Sequence, residues 1–370
     1  MTVNGICDSR FARVREAFAE NLASGLELGG GVSLMADGKL VVDLWGGHTD
    51  AARSKPWRRN TLVNVWSATK GIVALAVAML VERGKLDYAV PVARWWPEFA
   101  AGGKEHISLN LVLSHQAGLN GLSVPMPESG LLAWTPYAEA LASMSPLWEP
   151  GSRCIYHAFT YGHLIGEPLR RIDGRSPGRF IAEEIAGPLG IDFFVGLPER
   201  EEPRVAQTIA AANASDWIAA VQQSPFPHSC INPVPRALAP NDLAWRAAEV
   251  PGANGQSNAA ALATIYGALA SGGGGIVGKD AIKEAARPRV RGWDDSLSAP
   301  AAFAAGYQIE DLLGIGRAAA FGHAGWGGAL GFADPEAGIG FGYVTNLMLG
   351  SGNAPDPRLK ALTDAVYESV

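Results

Sequence analysis

The sequence predicts an α+β fold, an antiparallel sheet flanked by helices with a large, mainly helical domain inserted into it. Three observations carry this. Strand patterns with tight turns stand near the N-terminus, in GGGVSLMADGKLVVDLWGG, and near the C-terminus, in ALGFADPEAGIGFGYVTN. Helical patterns dominate between them, from about residue 67 to 300. Apolar residues make up 48% of the 370 and charged residues 18%, ample for a buried core and unlike a disordered chain.

The elements follow in order. Asp8 is placed to cap a first helix, with Phe11, Val14, Phe18 and Leu22 on one face. Two apolar runs flank Asp37-Gly38, whose residues both tolerate positive φ, so a hairpin is expected there. Ser67 to Glu82 reads as a helix ending at Gly84, apolar on all sides and so central to the core. Ser108 caps a short helix that stops near Gly118, and residues 136–144, 159–171, 178–186 and 258–270 read as further helices. From about 301 the strand pattern returns, with Asp334 to Gly338 as a tight turn, before a last helix over 356–367. The expected division is a discontinuous sheet domain, 1–66 with 301–370, and a mainly helical domain, 67–300. The cleft between two such units is a usual place for a small-molecule site.

Composition excludes several functions. Lys plus Arg number 30 and Asp plus Glu 36, a net charge of −6, so no nucleic-acid partner is expected. The basic run Arg53, Lys55, Arg58 and Arg59 reads as a solvated loop. Cys7, Cys154 and Cys230 are too few and scattered for a disulfide framework, which fits a reducing compartment. The N-terminal segment lacks the apolar core of a secretory signal. The longest apolar run, Gly71 to Val81, is far short of the ~20 residues that span a bilayer. A cytoplasmic protein with no membrane partner is expected; nothing in the sequence speaks to oligomeric state.

Three short segments carry chemistry. The first is Ser67-Ala-Thr-Lys70 at a helix start. The i,i+3 spacing puts both side chains on one face. The positive end of the helix dipole favours developing negative charge there. A neutral lysine amine beside a serine can take its proton. Alone the pattern is weak, and a polar cap on a core helix is the better explanation of it. The second is Tyr156, between a Pro-Gly turn and a helix. Its hydroxyl can shuttle a proton when nearby cations lower its pKa; Tyr161, inside the helix, reads as packing. The third is His323-Ala324-Gly325 on a strand, where small residues let a substrate lie along the edge. The backbone N–H of Trp326 would then join that of Ser67 as an oxyanion hole.

Taken in this order, Ser67-x-x-Lys70, Tyr156 and His323-x-Gly325 resemble the serine β-lactamase/penicillin-binding-protein superfamily. Leu113-Ser-His-Gln-Ala-Gly-Leu119 is similar to a segment of its class C-like members. Within it, GHAGWGGALGFADPEAGIGFGYVTN resembles the family VIII carboxylesterases, over a span from about residue 10 to the end. The resemblance implies a β-lactamase/transpeptidase-like fold, a small-molecule ester substrate, an acyl-enzyme on Ser67 and no cofactor. Two positions depart from the β-lactamase pattern. His323 replaces a lysine, and Ala158 stands where an asparagine helps hold a substrate amide. Ala158 contacts only an acyl or alkyl group, which favours an esterase over a β-lactamase or peptidase.

The expected catalytic residues are therefore Ser67, Lys70 and Tyr156. Ser67 and Trp326 supply the backbone donors, and His323, Gly325, Trp326 and Ala158 line the substrate. Lys70 and Tyr156 share the general base and acid roles, and their coupled titration leaves the division between them open. Three rival readings stand beside this one: an acyltransferase of the same fold, a weak β-lactamase or amide hydrolase, and a receptor-like relative that acylates once.

Other signals are set aside. Gly255-Gln-Ser257 nearly matches a nucleophile elbow, but a loop precedes it and Ser257 or Asn258 reads better as a helix cap. His115 reads as holding a loop. His163 and Glu167 are two residues and not a metal site, so no metal is expected. Of the tryptophans Trp45, Trp66, Trp95, Trp96, Trp134, Trp148, Trp245 and Trp326, most read as core, and Trp326 as the pocket residue.

Overall fold

The computed structural model describes residues 2–350 and 356–370. Asp8 caps a short 3-10 turn by accepting from the Arg10 N–H, and helix α1 (Ala12–Ala23) follows. Phe11, Val14, Phe18 and Leu22 are all buried, as their spacing predicts. Strand β1 (Val3–Cys7), which the sequence reading did not anticipate, precedes them and pairs with β3. The predicted hairpin is β2 (Gly29–Ala36) and β3 (Lys39–Gly47), turning on Asp37 and Gly38 at φ +49° and +73°. Helix α2 (Ala68–Glu82) is buried from Ala68 to Leu80.

The predicted helices are present as α3 (Thr160–Asp173), α4 (Ala259–Ala270), capped by Asn258, and α5 (Pro357–Tyr367), with Thr135–Ser143 and Pro177–Ile181 among the shorter ones. The helix capped by Ser108 ends at Leu113, ahead of Gly118, because His115 turns the chain at φ +61°. Lys279–Ala286 and Asp216–Gln222 are further helices. The strand pattern returns at Val290, earlier than 301. Strands β4 (Val290–Asp294) and β5 (Ala299–Phe303) form a hairpin at the sheet's end, and β4 is largely solvated, so it lacks the apolar alternation that betrays a strand. Strands β6 (Gln308–Ile309), β7 (Phe321–Ala324), β8 (Leu330–Asp334) and β9 (Ile339–Thr345) complete the sheet.

These nine strands form one sheet in the order β1-β3-β2-β9-β8-β7-β6-β5-β4, antiparallel throughout. Strand β9 shows why helices pack on both faces. Ile339, Phe341 and Tyr343 point to the layer of α1 and α5. Gly340 and Gly342 point the other way, where a Cβ would fall 1.9 Å from Gly267 N and 2.2 Å from Ala259 O of α4. The alternation of large residue and glycine thus seats α4 directly on the sheet. The larger core lies beyond it, around α2.

Candidate active site

Ser67 sits at the N-terminus of α2, half-buried, behind a constrained corner. Trp66, buried before it, has φ +48°, a left-handed conformation that costs a bulky residue ~1–3 kcal/mol. Thr69 holds this corner. Its Oγ1 donates to Trp66 O at 2.5 Å and accepts from Gly255 N–H at 2.9 Å, while Val65 N–H donates to Gly255 O. The spacing of Ser67 and Lys70 was legible in the sequence. Thr69 and the 250–255 loop were not, because their role comes from a contact nearly 190 residues away.

Lys70 is fully buried, and its Nζ has three neighbours. They are Ser67 Oγ at 3.1 Å, Ala158 O at 2.9 Å and Gly252 O at 2.7 Å. Burial pushes the amine well below the usual lysine range, with no carboxylate to offset it. In the neutral amine the two N–H groups suit the two carbonyls, and the lone pair is left toward the Ser67 hydroxyl. Ala158 meets Lys70 through its backbone, a contact any residue offers, while its side chain is half-exposed. Gly252 and Gly162 approach so closely that a Cβ on Gly162 would lie 2.4 Å from Gly252 N. Asn254 braces that loop, accepting from Val250 N–H and donating to Trp245 O and Ala248 O.

Tyr156 comes to the same place from the segment before α3. Lys70 Nζ lies 4.9 Å from its ring centroid. The expectation that cations lower its pKa is corrected. Burial pushes the phenol above its ordinary range, with the Ser67 hydroxyl opposing and Asp294 reinforcing the rise. Burial disfavours the Lys70 ammonium, which weakens the support a cation there would give a phenolate.

The neighbours of Tyr156 are fixed by backbone contacts. Asp294 Oδ2 accepts its N–H at 2.7 Å, while Asp294 Oδ1 accepts from Ser296 and Leu297 N–H in the β4–β5 turn. Nothing local in the sequence ties Asp294 to Tyr156. His115 Nδ1 accepts from His157 N–H at 3.1 Å, and His157 Nε2 accepts from Leu119 N–H at 3.2 Å. The LSHQAGL segment thereby clamps the tyrosine loop, and His115 holds a loop as expected.

His323 is buried 6.2 Å from the Tyr156 ring, centroid to centroid. Its Nδ1 bonds the Ala324 carbonyl at 2.7 Å, and burial lowers its pKa to about 3. Where the related pattern has a cationic lysine, this site has a neutral imidazole. Gly325 is packed so tightly that a Cβ would lie 2.2 Å from Val65 O, which brings the end of β7 against the residues leading to Ser67. Strand β6 pairs only with Phe321 and Gly322, and beyond them Gln308 Oε1 accepts the Ala324 N–H at 2.8 Å. Among the described residues, neither the Ser67 nor the Trp326 N–H has an acceptor.

Trp326 is half-buried, with its ring 4.7 Å from Trp66 and 5.3 Å from Trp217, and its indole N–H donates to Ala214 O at 2.7 Å. Trp217 and Leu297 pack on the same cluster and were not picked out from the sequence. Ser257, by contrast, is buried in a two-residue strand and donates to Asp192 O, and Asn258 caps α4. His163 lies between the Trp134 and Tyr137 rings, while Glu167 bonds Trp134, Arg170 and Arg171. Among the described residues no cluster of His, Cys, Asp and Glu could hold a metal ion, and no helix is long and apolar enough to cross a membrane.

Comparison with known proteins bears on this geometry. The Beta-lactamase family profile matches residues 14–365. Esterase/beta-lactamase LipL of Mycobacterium tuberculosis is 37% identical over 367 residues, covering 94% of this chain and 83% of that protein. A crystal structure of a family VIII carboxylesterase superposes with a TM-score of 0.93 at 40% identity, covering all of both chains. A penicillin-binding protein homolog from Caulobacter crescentus superposes at 0.90 with 38% identity, again over the whole of both.

Proposed function

The chain belongs to the Beta-lactamase family, and from that membership and the geometry around Ser67 we propose that it cleaves small carboxylic esters through an acyl-enzyme on Ser67. It is a carboxylesterase-type serine hydrolase, a reading supported by the family VIII carboxylesterase and the esterase/beta-lactamase among its relatives. The observation that carries the mechanism is the Lys70 amine, buried without a counter-ion and bonded to Ser67 Oγ and two backbone carbonyls.

In this reading neutral Lys70 takes the Ser67 proton as Oγ attacks the ester carbonyl. The N–H groups of Ser67 and Trp326 stabilise the tetrahedral oxyanion, each worth ~3 kcal/mol in such sites. Tyr156, a phenol bordering both Ser67 and Lys70, passes the proton to the leaving alcohol. Water then attacks the acyl-enzyme, with its proton taken back along the same path. The substrate lies in the cleft between the sheet domain and the helical domain, with its acyl group against Trp326 and Ala158. No cofactor enters the reaction.

Hydrolysis of nitrophenyl esters from acetate to decanoate, with Ser67→Ala in parallel, tests this. Turnover that peaks at short chains and disappears in Ser67→Ala is the expected result. Undiminished turnover in that variant would sink the mechanism. A single burst of product without turnover would point to the acyltransferase or receptor reading. A second activity has support in the name of the Mycobacterium relative, which includes beta-lactamase. Opening of a chromogenic cephalosporin is expected to be slow, because Ala158 has no side-chain amide to bind one.

A further inference from the structure

The turn that presents the Trp326 N–H is built over a buried cation. Gly327 and Gly328 adopt φ +87° and +130°. A Cβ on Gly328 would fall 2.5 Å from Arg358 Nη2, so glycine there makes room for the arginine. Arg358, at the start of α5, is fully buried. Its Nη2 donates to Gly327 O at 2.8 Å, directly beyond Trp326, and its Nη1 donates to Leu347 O at 2.8 Å and Thr345 Oγ1 at 3.2 Å. The charge is matched by Asp356 at 2.6 Å, with Glu27 3.8 Å away. Gly325 N–H donates to Ala329 O and Gly328 N–H to Gly325 O, which closes the turn.

We propose that Arg358 is a positioning residue that holds the Gly325–Gly328 turn so that the Trp326 N–H faces Ser67 as an oxyanion donor. The proposal rests on the oxyanion role of Trp326 given above. The planar fork of a guanidinium reaches Gly327 O, Leu347 O and Asp356 in one fixed geometry, which ties the last helix to the turn between β7 and β8. A lysine ammonium is a compact point charge on a flexible stem and does not span these partners.

The test is R358K beside W326P, which removes the N–H. Each is measured as kcat and KM for a nitrophenyl ester, per Ser67 titrated to completion with a fluorophosphonate, together with Tm. The expected result for R358K is a fall in kcat of about ten-fold or more with KM nearly unchanged, since an oxyanion donor acts on the transition state. A lower Tm with kcat per titrated site unchanged means that Arg358 only stabilises the fold, and overturns the proposal. If W326P loses kcat while R358K does not, the positioning role alone fails. If W326P keeps its kcat, the oxyanion reading fails and the proposal with it. Should R358K not fold, D356N loosens the guanidinium from its counter-ion and is held to the same kcat criterion.

Discussion

Lys70 governs how the site responds to acid. In the proposed mechanism its amine is neutral to accept the Ser67 proton, and burial lowers its pKa, so activity is expected to rise with pH as the ammonium loses its proton. The histidines beside it do not share this limb. Burial lowers His323 to about 3 and His157 to about 4, and His115 lies well below its ordinary range. A profile of log kcat/KM against pH is therefore expected to show one acid limb, with the same midpoint in His323→Gln. A midpoint that moves or vanishes in that variant would transfer the limb from Lys70 to the imidazole. Lys70→Met is expected to lose activity at every pH, by roughly 10²-fold or more as for other general bases. The pair Ser67 and Lys70 was readable because an i,i+3 spacing is a local fact of a helix. The neutrality of His323 and the raised pKa of Tyr156 were not, because desolvation depends on everything packed around a group.

Two elements bring the motifs together, and each has one contact on which the geometry hangs. At the end of β7, Gly325 lies against Val65 O, and Gly325→Ala would place a methyl 2.2 Å from it. The expected outcome is separation of the Trp326 amide from Ser67, with kcat reduced about 10²-fold and KM little changed; equal losses in both would show general disruption instead. At the β4–β5 turn, Asp294 joins the hairpin to the Tyr156 loop through both carboxylate oxygens. Asp294→Asn keeps the shape but leaves one acceptor oxygen, stranding a buried N–H at a cost of about 1–3 kcal/mol. Lower Tm together with a kcat reduced about ten-fold is expected; unchanged kcat would confine Asp294 to a structural role. The hairpin at Asp37-Gly38 and the cap at Asn258 were legible from turn and cap chemistry alone. The β4–β5 hairpin escaped notice because a solvated edge strand carries no hydrophobic period.

The molecule as a whole joins its two ends on one sheet, and a buried charge cluster marks the junction. Glu27, just before β2, is fully buried and accepts from Tyr343 and Thr345 of β9. Burial pushes it from 4.5 up to about 7, against the pull of Arg358 and of the Thr345 and Tyr343 hydroxyls. Between those values the folded protein holds a proton that the unfolded chain releases. The contribution of Glu27 to stability therefore falls as pH rises from about 4.5 to about 7, by up to about 1.4 kcal/mol per pH unit, while the buried His157 and His323, lowered to about 4 and about 3, contribute in the opposite sense over part of that window. Glu27→Gln removes this titration, so the slope of Tm against pH in that variant is expected to differ from that of the parent protein across the window. An identical slope in both proteins would assign the titration elsewhere.

The α+β class, most of the helices, the N-terminal hairpin, the C-terminal strands and the three short segments around Ser67, Tyr156 and His323 are legible in the chain's residues. Each is written in neighbouring residues: a period of 2 or 3.6, a turn pair, a cap, a spacing along one helix. The shifts in proton affinity and the supports of the site come from packing. Lys70 is driven toward neutrality by burial, and its amine meets Gly252 O across 182 positions of chain. Thr69 locks the corner before Ser67 through Gly255, and Arg358 meets the Trp326 turn from the last helix. Burial and long-range hydrogen bonding come from the packed whole, and no local pattern of residues encodes them.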